Sequence, residues 1–356
     1  MEYDFLAIGT PVVDVFARVP DSFLEKNGLR KGSTNFISRE KLDALEAKLG
    51  KEAFHRYPGD NARNICETLA RLKTKFAFSG KDRANEDANV HVGADVRAGN
   101  AGRAGSERGA SGWSNGGAVR VAFAGRVGND KDATLIGESL SKFGAATLLE
   151  KSAKMTGQIL CLITPDAQRT FAADLAQSEG YSPPGLPKAR FVFATTITLL
   201  SKGGIGAFSR GWIALERERG AKVAISLESP KMIAERRGEV FALLRKADYV
   251  FLNEEELAAL GIGEDGLGSM GAVVFLKKGA KGSVVFAPGQ KPAGIVAEKQ
   301  GRIIDTTGAG DAYAAGALYS LIRGEGPIRA AKAGSKTGAA AISTFGASLP
   351  VGFSLE

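Results

Sequence analysis

The sequence predicts an α/β fold in which a mostly parallel central sheet lies between two layers of helices. The first observation is a regular alternation of strand-length apolar runs and helical stretches. Predicted strands cover residues 191–195, 222–227, 248–252 and 272–276, and predicted helices cover 205–219, 231–246 and 254–260. Such alternation is typical of βαβ units. The second observation is that acidic or glycine-rich segments follow several predicted strands, where ligands of parallel sheets bind.

The N-terminal region predicts a strand at residues 3–8 and a second extended run at 12–16. Asp14 is an acid within that second apolar run. A buried acid needs polar partners, and the hydroxyl groups of a polyol ligand would supply them. The alternative is that Asp14 serves a turn or caps a helix.

A helix with Leu42, Leu45 and Leu49 on one face follows, and then a short strand at residues 53–57. In this strand Tyr57 or its neighbour Phe54 could stack on a base or simply pack inside the protein. Residues 58–64 open the next helix, where Arg63 either pairs with Asp60 or contacts an anionic substrate.

Residues 82–118 differ from the rest of the chain. They contain eight Gly and eight Ala but no Leu, Ile or Phe. Such a segment buries too little apolar surface to offset its ordering entropy, so a disordered insertion is predicted. The strand-like runs at 75–81 and 121–126 on either side resemble each other. The insertion therefore either splits a strand region or is an artefact of the gene model.

After the insertion, residues 125–130 predict a passage from strand to turn and then a helix. Residues 156–164 and 169–171 predict a hairpin whose turn is at 165–168. Asn253 and Glu256 follow the strand at 248–252 and, three residues apart, face the same side of a new helix. Carboxylate oxygens suit Mg²⁺, often through water. An acidic first helical turn that binds no metal is the alternative.

Residues 302–311 predict a short strand ending at Ile304, a tight turn at residues 308–310, and a helix starting near Asp311. Glycines allow close approach of a ligand, and a helix start offers free N–H groups to a phosphate or an oxyanion. Asp311 at this start could accept a proton from a substrate hydroxyl. The alternative is that Asp311 only caps the helix.

The run Asp-Thr-Thr-Gly-Ala-Gly-Asp at residues 305–311 closely resembles the C-terminal signature of the ribokinase (PfkB-type carbohydrate kinase) family. Residues 9–14, 125–130 and 253–256 resemble other motifs of this family. Residues 59–64 match its N-terminal signature only partly, because Asp60 replaces a glycine. The sequences of residues 29–35 and 164–171 resemble those of the adenosine-kinase-like branch of the family. The resemblance covers nearly the whole chain except 82–118.

This resemblance implies a ribokinase-like three-layer α/β/α sandwich forming a single domain over residues 1–356. A small β lid would come from about 10–60 and 119–180. The implied activity is ATP-dependent phosphorylation of the hydroxymethyl group of an adenosine-like nucleoside or a sugar. Asp311 would be the general base, and the catalytic anion hole would be built by Gly308, Ala309 and Gly310.

The resemblance also implies residue roles. Substrate would be bound by Asp14, Gly59, Asn64 and Asp311, and ATP by Asn253, Lys278, Gly279, Gly308 and Gly310. Glu256 would hold Mg²⁺ through water. The backbone of Asp305 and Thr307, together with the loop at residues 344–347, would form a site for a monovalent cation such as K⁺.

The composition and charge of the chain indicate which classes of ligand and which location to expect. The net charge of +8 comes from scattered basic residues, which favours anionic substrates such as ATP over nucleic acid. No apolar run reaches the length of a membrane span, and the N-terminus is unlike a signal peptide. Cys66 and Cys161 read as reduced core thiols, so a cytoplasmic location is expected. Two histidines exclude a multi-histidine metal site.

Several alternatives stay open at this point. The absence of a Gly-x-x-x-x-Gly-Lys-Ser/Thr run excludes a P-loop kinase, and Tyr313 stands where a dinucleotide fingerprint needs glycine. A sugar kinase acting on ribose, fructose or a keto-deoxy acid remains an alternative to a nucleoside kinase. A non-catalytic protein binding a sugar or nucleoside on the same fold is another. The sequence leaves a homodimer open.

Overall fold

The computed structural model of the protein describes residues 3–49, 55–72, 118–175, 180–183, 185–299 and 301–355. The predicted insertion at 82–118 lies outside these ranges except for its last residue. The strand-like run at 75–81 and Phe54 also lie outside them.

Nine strands form one large sheet in the order β14-β13-β12-β11-β10-β9-β1-β5-β6. Seven of them, from β12 to β6 in this order, are parallel, and β13 and β14 add an antiparallel edge. The strands are β1 (Tyr3–Ile8), β5 (Val121–Val127), β6 (Ala146–Lys151), β9 (Ala189–Thr195), β10 (Lys222–Ser226), β11 (Tyr249–Asn253), β12 (Val273–Lys277), β13 (Ser283–Phe286) and β14 (Ala293–Ile295). The predicted mostly parallel central sheet is confirmed.

Helices cover both faces of this sheet because its strands are apolar on both sides. Phe5 and Ala7 of β1 face a core shared with three helices: α3 (Asn61–Arg71), α11 (Ala309–Ile322) and α12 (Pro327–Ala341). Leu6 and Ile8 face a second core. The helices on that side are α5 (Thr196–Leu200), α6 (Gly204–Glu218), α7 (Pro230–Glu235), α8 (Arg237–Leu244), α9 (Glu254–Leu260) and α10 (Glu264–Leu267). This gives the three layers of the predicted fold.

A second, five-stranded sheet has the order β3-β8-β7-β2-β4 and mixes parallel with antiparallel pairs. Its strands are β2 (Val12–Arg18), β3 (Thr34–Phe36), β4 (His55–Pro58), β7 (Gly157–Ile163) and β8 (Arg169–Asp174). One face packs on a third core with Leu42, Leu45 and Ile136. Those side chains belong to α2 (Arg39–Leu49) and α4 (Lys131–Ser141), and α1 (Asp21–Lys26) lies beside them.

Two local predictions differ from the structure. The helix predicted over 231–246 is two helices, because Arg236 between α7 and α8 leaves the helical region with φ −127°. The strand predicted to end at Ile304 does not form. Ile303 and Ile304 are half-exposed or more, and the Ile304 N–H bonds to a carbonyl of the α12 end at Ile342 instead of to a strand.

The parallel sheet fixes where a ligand site can form. Strands β11 and β12 point their carboxyl ends to the same edge, and α9 starts directly at Asn253 there. Both cysteines are free and buried. No helix within the described part of the chain is long and apolar enough to cross a membrane.

Candidate active site

The glycine turn before α11 forms as predicted, but the helix begins at Ala309, two residues before the predicted start at Asp311. Gly308 is the N-cap of α11 and has φ +74°, a conformation that side chains disfavour. A Cβ at Gly308 would also lie 2.3 Å from the Cβ of Ala347. The Ala309 N–H bonds to the Thr306 carbonyl at 3.3 Å, but the rest of the first turn of this 14-residue helix carries N–H groups without an intrahelical partner and the positive end of the helix dipole. Residues 308–310 can therefore stabilise an anion.

Asp311 lies in that first turn and contacts Asn64 of α3. The Asn64 Nδ2 donates a hydrogen bond of 2.9 Å to Asp311 Oδ2. Burial raises the pKa of the Asp311 carboxyl to about 7, although the bond from Asn64 and the charge of Lys277 act in the opposite direction. The structure thus brings together two predicted site residues that are 247 positions apart. A carboxyl group with this pKa suits a general base near neutral pH.

Asn64 is held by the start of α3, where Asp60 stands in the place of a glycine. Asp60 has φ +87°, so it adopts a backbone conformation that glycine adopts more readily. Its carboxylate compensates by accepting hydrogen bonds of 2.8 Å from the Arg63 N–H and the Thr10 N–H. Burial raises the pKa of Asp60 to about 6. The aspartate therefore preserves the turn and adds an acid to the site.

Arg63 is buried and orients Asn64. Its guanidinium donates to Asn64 Oδ1 at 2.8 Å, to Ser139 at 2.9 Å and to Glu67. The amide oxygen of Asn64 is thus occupied, and its Nδ2 faces Asp311. Arg63 is 3% exposed, so its partners are protein groups, and its salt bridge is to Glu67.

Asp14 lies on β2 beside Gly59 and lines a cavity of about 880 Å³. Any Cβ at Gly59 would lie 2.5 Å from Asp14 Oδ2, so only glycine leaves room there. Burial raises the pKa of Asp14 to about 7. Among the described residues no group donates a hydrogen bond to this carboxylate. Asp14 is therefore free to bind hydroxyl groups of a ligand.

The cavity has a polar and an apolar part. Asp60 and Glu228 join Asp14 on the polar side, and Ile159, Leu175 and Ile197 supply apolar lining. Glu228 follows β10, and burial raises its pKa well above the usual value. Glu228 was not predicted from the sequence. It could have been, because a polar residue just after a strand of a parallel sheet is the pattern that indicated Asn253 and Glu256.

Lys277, at the end of β12, is a second site residue that the sequence analysis missed. Its Nζ lies 3.2 Å from the position that a Cβ would take at Gly310. The predicted Lys278 instead forms a salt bridge with Glu264, and Gly279 begins a short 3₁₀ turn. Successive strand residues point to opposite sides, so of two adjacent lysines only one can face the glycine turn. The alternation of β12 could have favoured Lys277.

Asn253 and Glu256 cap α9 with each other. The Asn253 N–H bonds to Glu256 Oε2 and the Glu256 N–H bonds to Asn253 Oδ1, both at 2.8 Å. Burial raises the pKa of Glu256, while Lys277 opposes that shift. No cluster of three or more acidic, histidine or cysteine side chains suited to a metal occurs in the described ranges. These residues fit a Mg²⁺ that arrives with nucleotide phosphates and contacts one carboxylate through water.

Asp305 and Thr307 lie together just before the glycine turn. The Asp305 carboxylate accepts hydrogen bonds from the Thr307 N–H, the Thr307 hydroxyl and the Gly346 N–H. The guanidinium of Arg169 on β8 also binds it, at 3.0 Å. Although burial opposes the shift, these hydrogen bonds hold the pKa of Asp305 below its usual value. An arginine therefore occupies the corner where the monovalent cation was expected.

Tyr57 packs within the protein. Its ring centroid lies 5.8 Å from that of Phe16 and 5.7 Å from that of Phe345. This cluster joins the five-stranded sheet to the loop after α12.

Comparison with known proteins shows the family and the fold of the chain. The sequence model of pfkB family carbohydrate kinase matches residues 88–352. An adenosine kinase structure from Sinorhizobium meliloti has TM-score 0.75 and 23% identity, covering 99% of this chain and 97% of that one. A probable sugar kinase from Rhizobium etli has TM-score 0.75 and 20% identity, with coverage of 99% and 96%. Adenosine kinase from Schistosoma mansoni with 2-fluoroadenosine has TM-score 0.74 and 18% identity, with coverage of 98% and 97%.

Proposed function

The chain belongs to the pfkB family of carbohydrate kinases, and we propose that it transfers the γ-phosphoryl group of ATP to the hydroxymethyl group of a nucleoside. The observation that carries this proposal is the meeting of Asp311, Asn64, Lys277 and the glycine turn at the start of α11. A base, an anion hole and a positive charge are the parts that phosphoryl transfer needs.

Asp311 is the proposed general base. Its Oδ2 is engaged by Asn64, which leaves Oδ1 for the substrate hydroxyl. With a pKa of about 7 the carboxyl group is largely ionised above neutral pH and still basic enough to take a proton. Asn64 fixes the orientation of the carboxylate, and Arg63 in turn fixes Asn64.

The N–H groups of Gly308 and Gly310 and the ammonium of Lys277 would stabilise the charge of the transferring phosphoryl group. The turn is rigid because Gly308 is pressed against Ala347, and Lys277 lies over Gly310. Bound Mg²⁺ would further neutralise the phosphates, Glu256 would hold it through water, and Asn253 would contact ATP. The predicted contacts of Lys278 and Gly279 with ATP stay predictions.

The cavity beside Asp14 supports a nucleoside. It is large enough for a sugar and a base, since small-molecule pockets range from about 300 to 1,000 Å³. Asp14 would bind sugar hydroxyls, and the apolar side chains Ile159, Leu175 and Ile197 would contact the base. Four carboxyl groups line the cavity, namely Asp14, Asp60, Glu228 and Glu235, against two basic side chains, Arg30 and Lys231. The lining thus offers more carboxyl groups, which bind hydroxyls, than basic groups, which would bind a substrate carboxylate, so it favours a neutral ligand over a keto-deoxy acid.

A neutral sugar such as ribose or fructose is the second candidate, because Asp14 and Asn64 can bind the hydroxyls of either substrate. The test is ATP consumption with Mg²⁺ across a panel of nucleosides and neutral and acidic sugars. We expect selective turnover of a nucleoside. Turnover of a sugar alone would keep Asp311 as base but reject the nucleoside. ATP binding with no turnover on the whole panel would favour a non-catalytic binding protein.

A further inference from the structure

Arg169 at the start of β8 reaches from the five-stranded sheet to the segment before the glycine turn. Its Nη2 donates to Asp305 Oδ1 at 3.0 Å, and its Nη1 donates to the Thr307 hydroxyl at 2.6 Å. Asp305 and Thr307 are the residues that the sequence assigned to a monovalent-cation site. The guanidinium therefore places a positive charge on the side chains of the two residues whose backbone was expected to bind the ion.

Asp305 accepts four hydrogen bonds from protein donors, three of them at Oδ1. Oδ1 accepts from the Thr307 N–H at 3.0 Å, from the Thr307 hydroxyl at 2.7 Å and from Arg169. Oδ2 accepts from the Gly346 N–H at 3.1 Å. The Asp305 side chain is 3% exposed. A K⁺ ion next to the Asp305 carboxylate would have to displace the Arg169 guanidinium or lie beside it. Two neighbouring positive charges repel each other, so the second arrangement is unfavourable. The residues present do not fit the ion.

We infer that the guanidinium of Arg169 takes the place of a monovalent cation in this protein, so that K⁺ is not needed. Arg169 is then a positioning residue. It holds Asp305 and Thr307, and through them the turn at residues 308–310 that binds the phosphoryl group. This inference rests on the proposed function for its effect on rate, but the binding of a cation can be measured without any turnover.

The Arg169 guanidinium differs from a bound ion because it is part of the five-stranded sheet. The Arg169 contact connects β8 to the glycine turn. Close by, Phe16 and Tyr57 of the same sheet pack on Phe345, next to Gly346. The corner formed by Asp305 is thus attached to the five-stranded sheet at two points. The order of the anion hole should depend on the position of that sheet and not on the salt composition.

The experiment compares the wild type with Arg169→Met in K⁺, Na⁺ and tetramethylammonium chlorides at one ionic strength. Lys222→Met is the matched control, because Lys222 forms a salt bridge to Asp248 of the same 3.0 Å length at the amino ends of the strands. Tm and ATP-dependent turnover of the substrate found in the panel are measured for each. Arg169→Lys, which keeps the charge, is the second variant.

We expect wild type and control to show the same Tm and rate in all three salts. Arg169→Met should lose about 10- to 100-fold in rate, because the turn is misplaced. K⁺ should raise its Tm and restore part of the rate, whereas tetramethylammonium should not. Arg169→Lys should stay insensitive to K⁺.

Two results would overturn the inference. One is a wild type whose Tm or rate rises specifically with K⁺, which needs no variant to observe. The other is an Arg169→Met protein that folds but gains nothing from K⁺ in either Tm or rate. If the whole panel shows no turnover, the Tm comparison still decides the matter, so a failure of the proposed function is distinguishable from a failure of this inference.

Discussion

Replacing Asp311 by Asn separates the catalytic role of this side chain from its structural role. The amide has the same shape, and its oxygen can still accept the 2.9 Å hydrogen bond from Asn64. The variant therefore keeps the contact between α3 and α11 but cannot accept the substrate proton. We expect the rate to fall by about 10²- to 10⁴-fold.

The same substitution should lower the rate but raise the stability of the folded protein at alkaline pH. The pKa of Asp311 rises from 3.8 to about 7 on folding. A group whose pKa is raised on folding stabilises the protein below the unfolded pKa, and this contribution is lost as pH rises through the folded pKa. A shift of about three units corresponds to up to about 4 kcal/mol at pH 8. Because Asn does not ionise, the variant should unfold at a higher Tm than wild type at alkaline pH, and the two should converge near pH 4.

The assays are phosphoryl transfer from ATP with the best panel substrate and thermal unfolding between about pH 4 and 8. In the wild type, kcat/KM should rise with pH and level off above about 7, because the free base must be ionised. Asp248→Asn is the matched control, since Asp248 binds Lys222 and the Val223 N–H at the opposite edge of the sheet. It should retain the wild-type rate. An Asp311→Asn protein with near-wild-type turnover would refute the assignment of the base.

Further predictions concern the neighbours of Asp311. Lys277→Met should lower kcat by about 10²- to 10³-fold with little change in Tm. Lys222→Met, which removes an ammonium group at the opposite edge of the sheet, is its control, and an equal loss in both variants would contradict the choice of Lys277. Asn64→Ala removes a hydrogen bond that lowers the pKa of Asp311. The midpoint of the pH–rate profile should therefore move upward by about one pH unit. A downward move would contradict the assigned hydrogen bond. Gly308→Ala should destabilise the fold by about 1–3 kcal/mol in chemical unfolding, because of its positive φ and the contact with Ala347; an unchanged stability would show that the turn is not strained.

Much of the architecture follows from the sequence because its signals are local. The strand–helix alternation after residue 190 indicates parallel βαβ units, and the structure has seven parallel strands between two helix layers. The capping relation of Asn253 and Glu256 and the glycine turn at 308–310 were equally readable, since each depends on residues three or fewer apart. The strand predicted to end at Ile304 failed because an apolar run does not reveal whether a partner strand exists.

The contacts that complete the site could not be predicted from the sequence, because they join segments that are far apart along the chain. Composition gives no reason to pair Asn64 with Asp311 or Arg169 with Asp305. The raised pKa of Asp311 comes from burial, which only the packing of the layers decides. The approach of Lys277 to Gly310 depends on how α11 packs beside the end of β12. The sequence determined the family, the layers and the turn chemistry. The tertiary structure decided which charges meet, because electrostatic interactions depend on distance and burial and not on order along the chain.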